Sequence, residues 1–183
     1  MDINTANSNT ILEIEKKFLI EMPDLNKLVQ QYHATAHSIE QTYLVTEDGT
    51  ERRVRRTLSP YGDGEHIYRH YYTEKRAADE TGFKRVETEN TIYYLDYYKY
   101  LREADPELHP IVKTRYTFYI GKQLYELDVY EFSKEYATLE IELASEDTEF
   151  KWPELLVKVA DVTEDKRFKN KALAKALAFP TIE

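Results

Sequence analysis

Apolar residues recur along this chain mostly at every second position, and in a few places at helical spacing. Residues 11–20, ILEIEKKFLI, predict a strand. Beyond Pro23, the positions of Leu25, Leu28, Val29 and Tyr32 predict a short helix with Pro23 in its first turn. Residues 39–47 and 50–58 predict two strands joined at Asp48-Gly49, a pair that favours a tight hairpin. A second turn is predicted over Ser59–Gly64, followed by strands over 66–76 and 83–89. From about Thr91 to Arg102, Ile92, Leu95, Tyr98 and Leu101 fall near one face of a helix. Strands follow over 111–120 and 123–132, turning at Gly121-Lys122, and over 137–144. A short helix is predicted within 153–162, and an Ala- and Leu-rich one over 170–178. The sum is about eight strands and three or four helices. That is one mostly antiparallel α+β domain over residues 11–183, preceded by a loose tail at 1–10.

Successive side chains on a strand point to opposite faces, so the same pattern sorts the charges. Leu12, Ile14 and Phe18 share one face of the first strand, and Glu13, Glu15 and Lys17 the other. Arg53 and Arg55 share a face with Val54 opposite, and Thr73 and Lys75 share one. Arg85, Glu87 and Glu89 fall together, as do Lys113 and Arg115. Glu126 and Asp128 share a face, and Glu140 and Glu142 lie opposite Leu139, Ile141 and Leu143. A single such face is the wet side of an ordinary antiparallel sheet. Seven strands carrying dense charge of both signs, with few Ser, Asn or Gln among them, predict another arrangement. The sheet closes, or nearly closes, into an eight-stranded barrel with its charged faces inward and its helices packed outside.

Composition narrows the function. The chain has 183 residues and a net charge of −9, from 25 Lys+Arg against 34 Asp+Glu, so whole-surface attraction to nucleic acid or an anionic membrane is not expected. There is no cysteine, which removes disulfides, thiolate metal sites and cysteine nucleophiles and fits a reducing compartment. The first ten residues hold no basic or apolar run, and no stretch approaches the roughly 20 apolar residues of a membrane helix. The expectation is a cytoplasmic protein.

Charges facing inward need compensation. Clustered Arg and Lys suit an oxygen-rich anion, and the planar guanidinium suits phosphate. The carboxylates beside them suit a hard cation such as Mg²⁺ or Mn²⁺, which bridges carboxylate to phosphate. Both halves point to a metal-bound polyphosphate.

Glu13-Ile14-Glu15-Lys16-Lys17 resembles the ExExK signature of the CYTH domain, or triphosphate tunnel metalloenzymes. Further segments follow in the family's order: Gln41–Leu44, Arg53-Val54-Arg55, Thr73-Glu74-Lys75, Arg85–Glu89, Lys113-Thr114-Arg115, Glu126-Leu127-Asp128, Leu139–Leu143, and Val162-Thr163 with Arg167 and Asn170. The resemblance spans roughly residues 11–177 and implies an antiparallel eight-stranded tunnel. It implies that Glu13, Glu15 and Glu140 are the main metal ligands, with Glu142 and Asp128 close to the metal. It implies that Lys17, Arg53, Arg55, Lys75, Arg85, Lys113, Arg115 and, further out, Arg167 hold phosphate. Glu87 and Glu89 become orienting partners or ligands of a second metal. Two departures are that Glu74 stands where an outward apolar residue is usual, and that the segment from Arg55 to Lys75 is long enough to form an extended hairpin.

The implied activity is metal-dependent hydrolysis of the terminal phosphoanhydride of tripolyphosphate or an organic triphosphate. Lys17, Glu142 and Asp128 would work nearest the reacting groups. One branch of the family makes cyclic AMP from ATP, and that class IV adenylyl cyclase activity is an alternative, as is a non-catalytic polyphosphate- or nucleotide-binding module. Nucleic-acid binding through Arg52–Arg56 is a weaker rival, since Arg52 and Arg56 fall on the outward parity. His66 and His70 lie too far apart along a strand to share a metal. The other histidines and Trp152 are expected to be structural, and Tyr93–Tyr100 to form a helix packed on the outside. A homodimer is compatible with the family.

Overall fold

Ten strands form one sheet in which every pairing is antiparallel, and three short helices pack against it. The structure, a computed structural model, describes residues 9–12, 14–47, 49–77, 85–145 and 148–182, with no side-chain description for 9–12, 77 and 85. In chain order the elements are β1 (Asn9–Leu12), β2 (Glu15–Glu21), α1 (Leu25–Tyr32), β3 (Thr35–Tyr43), β4 (Glu51–Tyr61), β5 (Glu65–Ala77), β6 (Arg85–Ile92), α2 (Tyr94–Tyr100), β7 (Ile111–Ile120), β8 (Gln123–Tyr130), β9 (Tyr136–Glu142), β10 (Lys158–Asp161) and α3 (Asn170–Ala176). The sheet order is β1-β6-β5-β4-β3-β7-β8-β9-β2-β10.

The eight expected strands correspond to β2 through β9, with β1 and β10 added. β1 pairs with β6 at one edge of the sheet, and β2 pairs with β9 near the other, where β10 lies outside β2. The amino-terminal segment thus takes part on both sides, and no continuous ladder closes the sheet among the described residues. Asn9 and Thr10, expected in the loose tail, belong to β1; residues 1–8 lie outside the described residues.

Local chemistry accounts for several boundaries. Asp24 caps α1 by accepting hydrogen bonds from the backbone N–H groups of Asn26 and Lys27, each at 3.1 Å. Pro23 thus precedes the cap instead of sitting in the first turn. Gly121, at φ +63°, makes the tight turn between β7 and β8, a conformation that costs glycine nothing. β3 pairs with β4 as far as Tyr43 opposite Arg53, the Leu44 N–H donates to the Arg52 carbonyl at 3.0 Å, and Leu44 also bridges to Ala104; the expected hairpin turn falls on Asp48, which lies outside the described residues. The helix expected within 153–162 is replaced by a turn and by β10, which pairs with β2. The long β4–β5 hairpin is present, with Ser59, Pro60 and Tyr61 inside the strand and Gly62–Gly64 at its tip.

The apolar faces point outward and are covered. Phe18, Ile20, Leu127, Leu139 and Ile141 pack with Leu28 of α1 and with Phe150 and Trp152. Val54 and Leu44 lie under Tyr97 of α2, where Tyr72 and Tyr100 stack at 4.6 Å between ring centres. α3 packs instead on the inward parity, bringing Leu173 and Ala174 onto Tyr43, Ile111 and Tyr130. Among the described residues no helix is long and apolar enough to cross a membrane.

Leu139 is fully buried in the largest of these clusters. Leu139→Ala is expected to lower unfolding stability by about 2–5 kcal/mol, read as a fall in the urea midpoint at constant m-value. A change below about 0.5 kcal/mol would contradict the outer-face packing described here.

Candidate functional site

The inward faces of β2 through β9 line a cavity of about 510 Å³. Its lining carries as many cationic as acidic side chains, so a chain of net charge −9 offers an interior that does not repel a polyanion. The charges are not mixed at random. Cations dominate on β4, β5 and β7, which supply Arg53, Arg55, Lys75, Lys113 and Arg115. Carboxylates dominate on β2, β8 and β9, which supply Glu15, Glu126, Glu140 and Glu142, with Lys17 among them.

Neighbouring strands hold the guanidinium groups in place. Arg55 Nη2 donates to both Glu89 oxygens, at 2.8 and 3.0 Å, and Thr73 Oγ1 donates to the same carboxylate at 2.9 Å. Arg53 Nη2 donates to Glu87 at 3.3 Å, and Lys75 pairs with Glu87 from the other side. Both guanidinium groups are held through Nη2. The Nε atoms of Arg53 and Arg55 are buried and have no hydrogen-bond partner. A buried N–H left unmade is costly, and two such groups on one cavity wall are suited to an anion that comes from outside the protein.

The β7–β8–β9 wall forms a denser network. Arg115 donates to Asp128 at 2.7 Å through both Nε and Nη2, to Glu140 at 2.6 Å, and to Glu126. Lys113 pairs with Asp128. Lys17 Nζ lies 2.8 Å from Glu140 Oε1. Burial opposes the Lys17 charge, but Glu140, followed by Tyr130 and Glu15, outweighs it and raises the ammonium pKa. Burial would likewise raise Glu140, yet Lys17, Arg115 and Lys113 hold it well below the usual carboxylate range. Burial and then Arg115 push Lys113 down to about 8, against the pull of Asp128. Burial pushes the Glu126 carboxyl up, with Arg115 pulling the other way.

Most side chains expected from the sequence are thus gathered around one space, with two exceptions among the described residues. Asp128 is fully buried, pairs with Lys113 and Arg115, and is absent from the lining. Arg167 turns away to Asp165, Nη2 to Oδ2 at 2.7 Å, and is likewise absent from the lining. Glu13 and the side chain of Arg85 lie outside the described residues. Glu87 and Glu89 are occupied by Arg53, Lys75, Arg55 and Thr73, which favours their orienting role over a second metal site.

The lining also includes groups that parity reasoning passed over. Gln41 and Tyr43 face inward from β3, joined by a 2.8 Å bond from the Gln41 amide to the Tyr43 oxygen, and Glu51 enters from the start of β4. Parity along β3 and β4 was a usable signal for all three. Lys166, Lys169 and Lys171 reach the cavity from the irregular segment before and into α3, where no period-two rule applies. Arg52 and Arg56 do point outward. Arg52 bonds Tyr72 and Glu103, and Arg56 bonds Glu40. His37 ties Ser59 to Thr117, and the His70 ring packs on Tyr97 at 4.8 Å, so both act structurally.

A divalent cation fits the acidic wall in kind. The donors are carboxylate oxygens, and Glu15 and Glu142 are direct cross-strand partners that line the same cavity. Like charges placed opposite one another destabilise a sheet pair, a cost that a cation between them would remove. Among the described residues no three His, Cys, Asp or Glu are drawn together into a complete metal nest, so phosphate oxygens and water would complete the ligand shell.

A family model for the CYTH domain matches residues 12–175. Two crystal structures of one protein, described in one as an inorganic triphosphatase and in the other as a hypothetical protein, are 30% and 32% identical to this chain. Those alignments cover 91% and 92% of this chain and 96% and 99% of the other, each with a TM-score of 0.55. A candidate adenylate cyclase from Bacillus halodurans is 17% identical over 75% of this chain and 83% of its own, with a TM-score of 0.52, a likeness of fold alone. No curated protein matches the chain.

The Glu140 pairing gives a signed pH dependence. Its folded pKa lies below the unfolded value, so the unfolded chain takes up the proton first. The stabilisation is complete above about pH 4.3, the ordinary carboxylate pKa, and falls away as pH drops below it. Glu140→Gln leaves Lys17 and Arg115 without their carboxylate and is expected to cost about 3 kcal/mol at pH 7. Its denaturant midpoint should also vary less than wild type between pH 5 and 3. An unchanged midpoint at pH 7 would contradict the pairing.

Proposed function

The chain belongs to the CYTH-domain family, and from that premise we propose that it is a metal-dependent triphosphatase. In this reading it cleaves the terminal phosphoanhydride of inorganic tripolyphosphate or an organic triphosphate bound in the cavity. The observation that carries the reading is the gathering of Arg53 and Arg55, whose buried Nε donors are unused by the protein, around one cavity with Lys17, Lys75, Lys113 and Arg115. A neutral or singly charged ligand would leave most of those cations without a partner, whereas a phosphate chain presents oxygens to all of them. The match to an inorganic triphosphatase supports the same reading.

Phosphoryl transfer depends on positioning and charge neutralisation more than on covalent chemistry. Arg53 and Arg55 hold the phosphate chain, their orientation fixed by Glu87 and Glu89. Lys75, Lys113 and Arg115 neutralise its remaining charge, with Asp128 bracing the last two from beneath. Lys17 remains an ammonium beside Glu140, which makes it a stabiliser of developing negative charge and not a proton acceptor. Family members are metal-dependent in general. Glu15 and Glu142, with Glu140 beside them, would hold Mg²⁺ or Mn²⁺, which when bound supplies charge neutralisation and polarises the phosphoryl oxygens. Glu142, on the open edge of this wall, orients the attacking water and takes its proton. The water oxygen bonds to the terminal phosphorus as the bridging oxygen leaves with the remaining diphosphate.

The test is phosphate release from tripolyphosphate with added Mg²⁺ or Mn²⁺. Arg55→Ala is expected to lower kcat/KM by about 10- to 100-fold, the value of one or two charge-assisted hydrogen bonds. Glu15→Gln should abolish the metal dependence together with most of the activity, while Arg56→Ala on the outer face stays within about twofold. Equal release in the presence of a chelator, or turnover untouched by Glu15→Gln, would contradict the metal role. Conversion of ATP to cyclic AMP in place of phosphate release would replace hydrolysis with cyclisation.

A further inference from the structure

Three tyrosines of β5 lie against arginines of β4. On the outer face the Arg52 guanidinium carbon is 5.6 Å from the centre of the Tyr72 ring, and that of Arg56 is 5.5 Å from Tyr68. On the inward parity Tyr71 stands directly across from Arg55 and meets it at 4.8 Å, the shortest of the three contacts. A cation within about 6 Å of a ring centre is attracted by the ring's quadrupole, more strongly where water is excluded. Arg52 and Arg56 do not reach the cavity, whereas Arg55 lines it. Tyr71 is half-buried and is itself absent from the lining, so it bears on the site through Arg55.

The ring supplies a restraint that the carboxylate does not. Both Glu89 oxygens accept from the same Arg55 atom, Nη2, at 2.8 and 3.0 Å. A pair made through two nitrogens fixes a guanidinium plane, whereas a hold at one nitrogen leaves the group free to turn about it. Thr73 Oγ1 donates to the same carboxylate at 2.9 Å and so steadies Glu89, not the arginine. Tyr71 provides the second point of hold. Opposite Arg53 the same strand carries Thr73 in place of a ring. Burial is the largest influence on Arg55 and lowers its pKa; Glu89 and, more weakly, Tyr71 favour the charged form, against Arg53 and Arg115.

We propose that Tyr71 is a positioning residue, whose ring holds the Arg55 guanidinium in its binding orientation before the phosphate chain arrives. This rests on the triphosphatase reading and adds to it a residue outside the cavity lining. A side chain ordered beforehand loses less freedom when a ligand binds. Arg55 holds phosphate in the bound substrate as well as in the transition state, so the effect of its ordering falls on KM and not on kcat. The ring face does this work and the hydroxyl does not, so phenylalanine can take the place of Tyr71 and an aliphatic side chain cannot.

The experiment measures kcat and KM for tripolyphosphate with Mg²⁺ or Mn²⁺ in the wild type, in Tyr71→Leu, Tyr71→Met and Tyr71→Phe, in Arg55→Ala, and in the Tyr71→Leu/Arg55→Ala double variant. Tyr71→Leu and Tyr71→Met are expected to raise KM by about 5- to 30-fold with kcat within about twofold, and Tyr71→Phe to restore the wild-type KM. With Arg55 already removed, Tyr71→Leu should add less than about twofold, because the two residues act as one unit. An aliphatic variant with the wild-type KM, a loss shared by Tyr71→Phe, or an equal loss with and without Arg55 overturns the inference and leaves the triphosphatase reading standing. Loss of the folded circular dichroism spectrum in both aliphatic variants overturns it too, since the ring would then serve folding alone. Absence of turnover by the wild type overturns both.

Discussion

Like charges crowded into one interior repel, and the whole arrangement depends on how that repulsion is managed. The strands interleave guanidinium and ammonium groups with carboxylates, and the register of neighbouring strands joins them in pairs. Glu89 against Arg55, Glu140 between Lys17 and Arg115, and Asp128 beneath Lys113 and Arg115 are the ties that let these groups stay charged away from bulk water. Buried pairs of this kind contribute little net stability, because desolvation offsets most of the attraction. The stability resides on the opposite face, where Leu139, Ile141, Phe18 and their neighbours are sealed by α1 and the segment around Trp152. One face of the sheet makes the fold, and the other is free to be organised for a ligand.

The residual imbalance carries the functional meaning. The carboxylates engage Nη2 of Arg53 and of Arg55 and leave their buried Nε donors without a partner. On the opposite wall, Glu15 stands directly across from Glu142. The first feature asks for an anion and the second for a cation, and a metal-bound phosphate chain answers both. The binding of substrate and metal then completes an electrostatic arrangement that the strands leave unfinished.

Much of this was legible in the sequence because period two is a geometric rule. Once a strand is recognised, Arg53 and Arg55, Lys113 and Arg115, or Glu140 and Glu142 must share a face, and the apolar positions between them decide which face is outer. The rule fails where regular structure stops. Around Lys166 to Phe168 the chain takes a short 3-10 turn, and Asp165 both caps that turn and captures Arg167. Arg167 is absent from the cavity lining while Lys166 and Lys169 on either side of it are present, an arrangement no period-two rule predicts. Asp128 shows a different limit. Parity places it inward, but depth is set by the bulk of Lys113 and Arg115 above it, which no pattern along one strand reveals. The division of the first strand into β1 and β2, and the entry of β10 where a helix was expected, are set by pairing with distant strands and so lie beyond local periodicity.

The central claim is that one cavity grips a phosphate chain and a divalent ion between its two walls. A crystal structure of the protein with tripolyphosphate and Mn²⁺, with the manganese located by anomalous scattering, tests it most directly. The account predicts phosphate oxygens within hydrogen-bonding distance of Nε of Arg53 and Arg55, and manganese against the Glu15 and Glu142 carboxylates. Phosphate bound elsewhere on the protein, or manganese on the outer surface with this cavity holding only water, would contradict it.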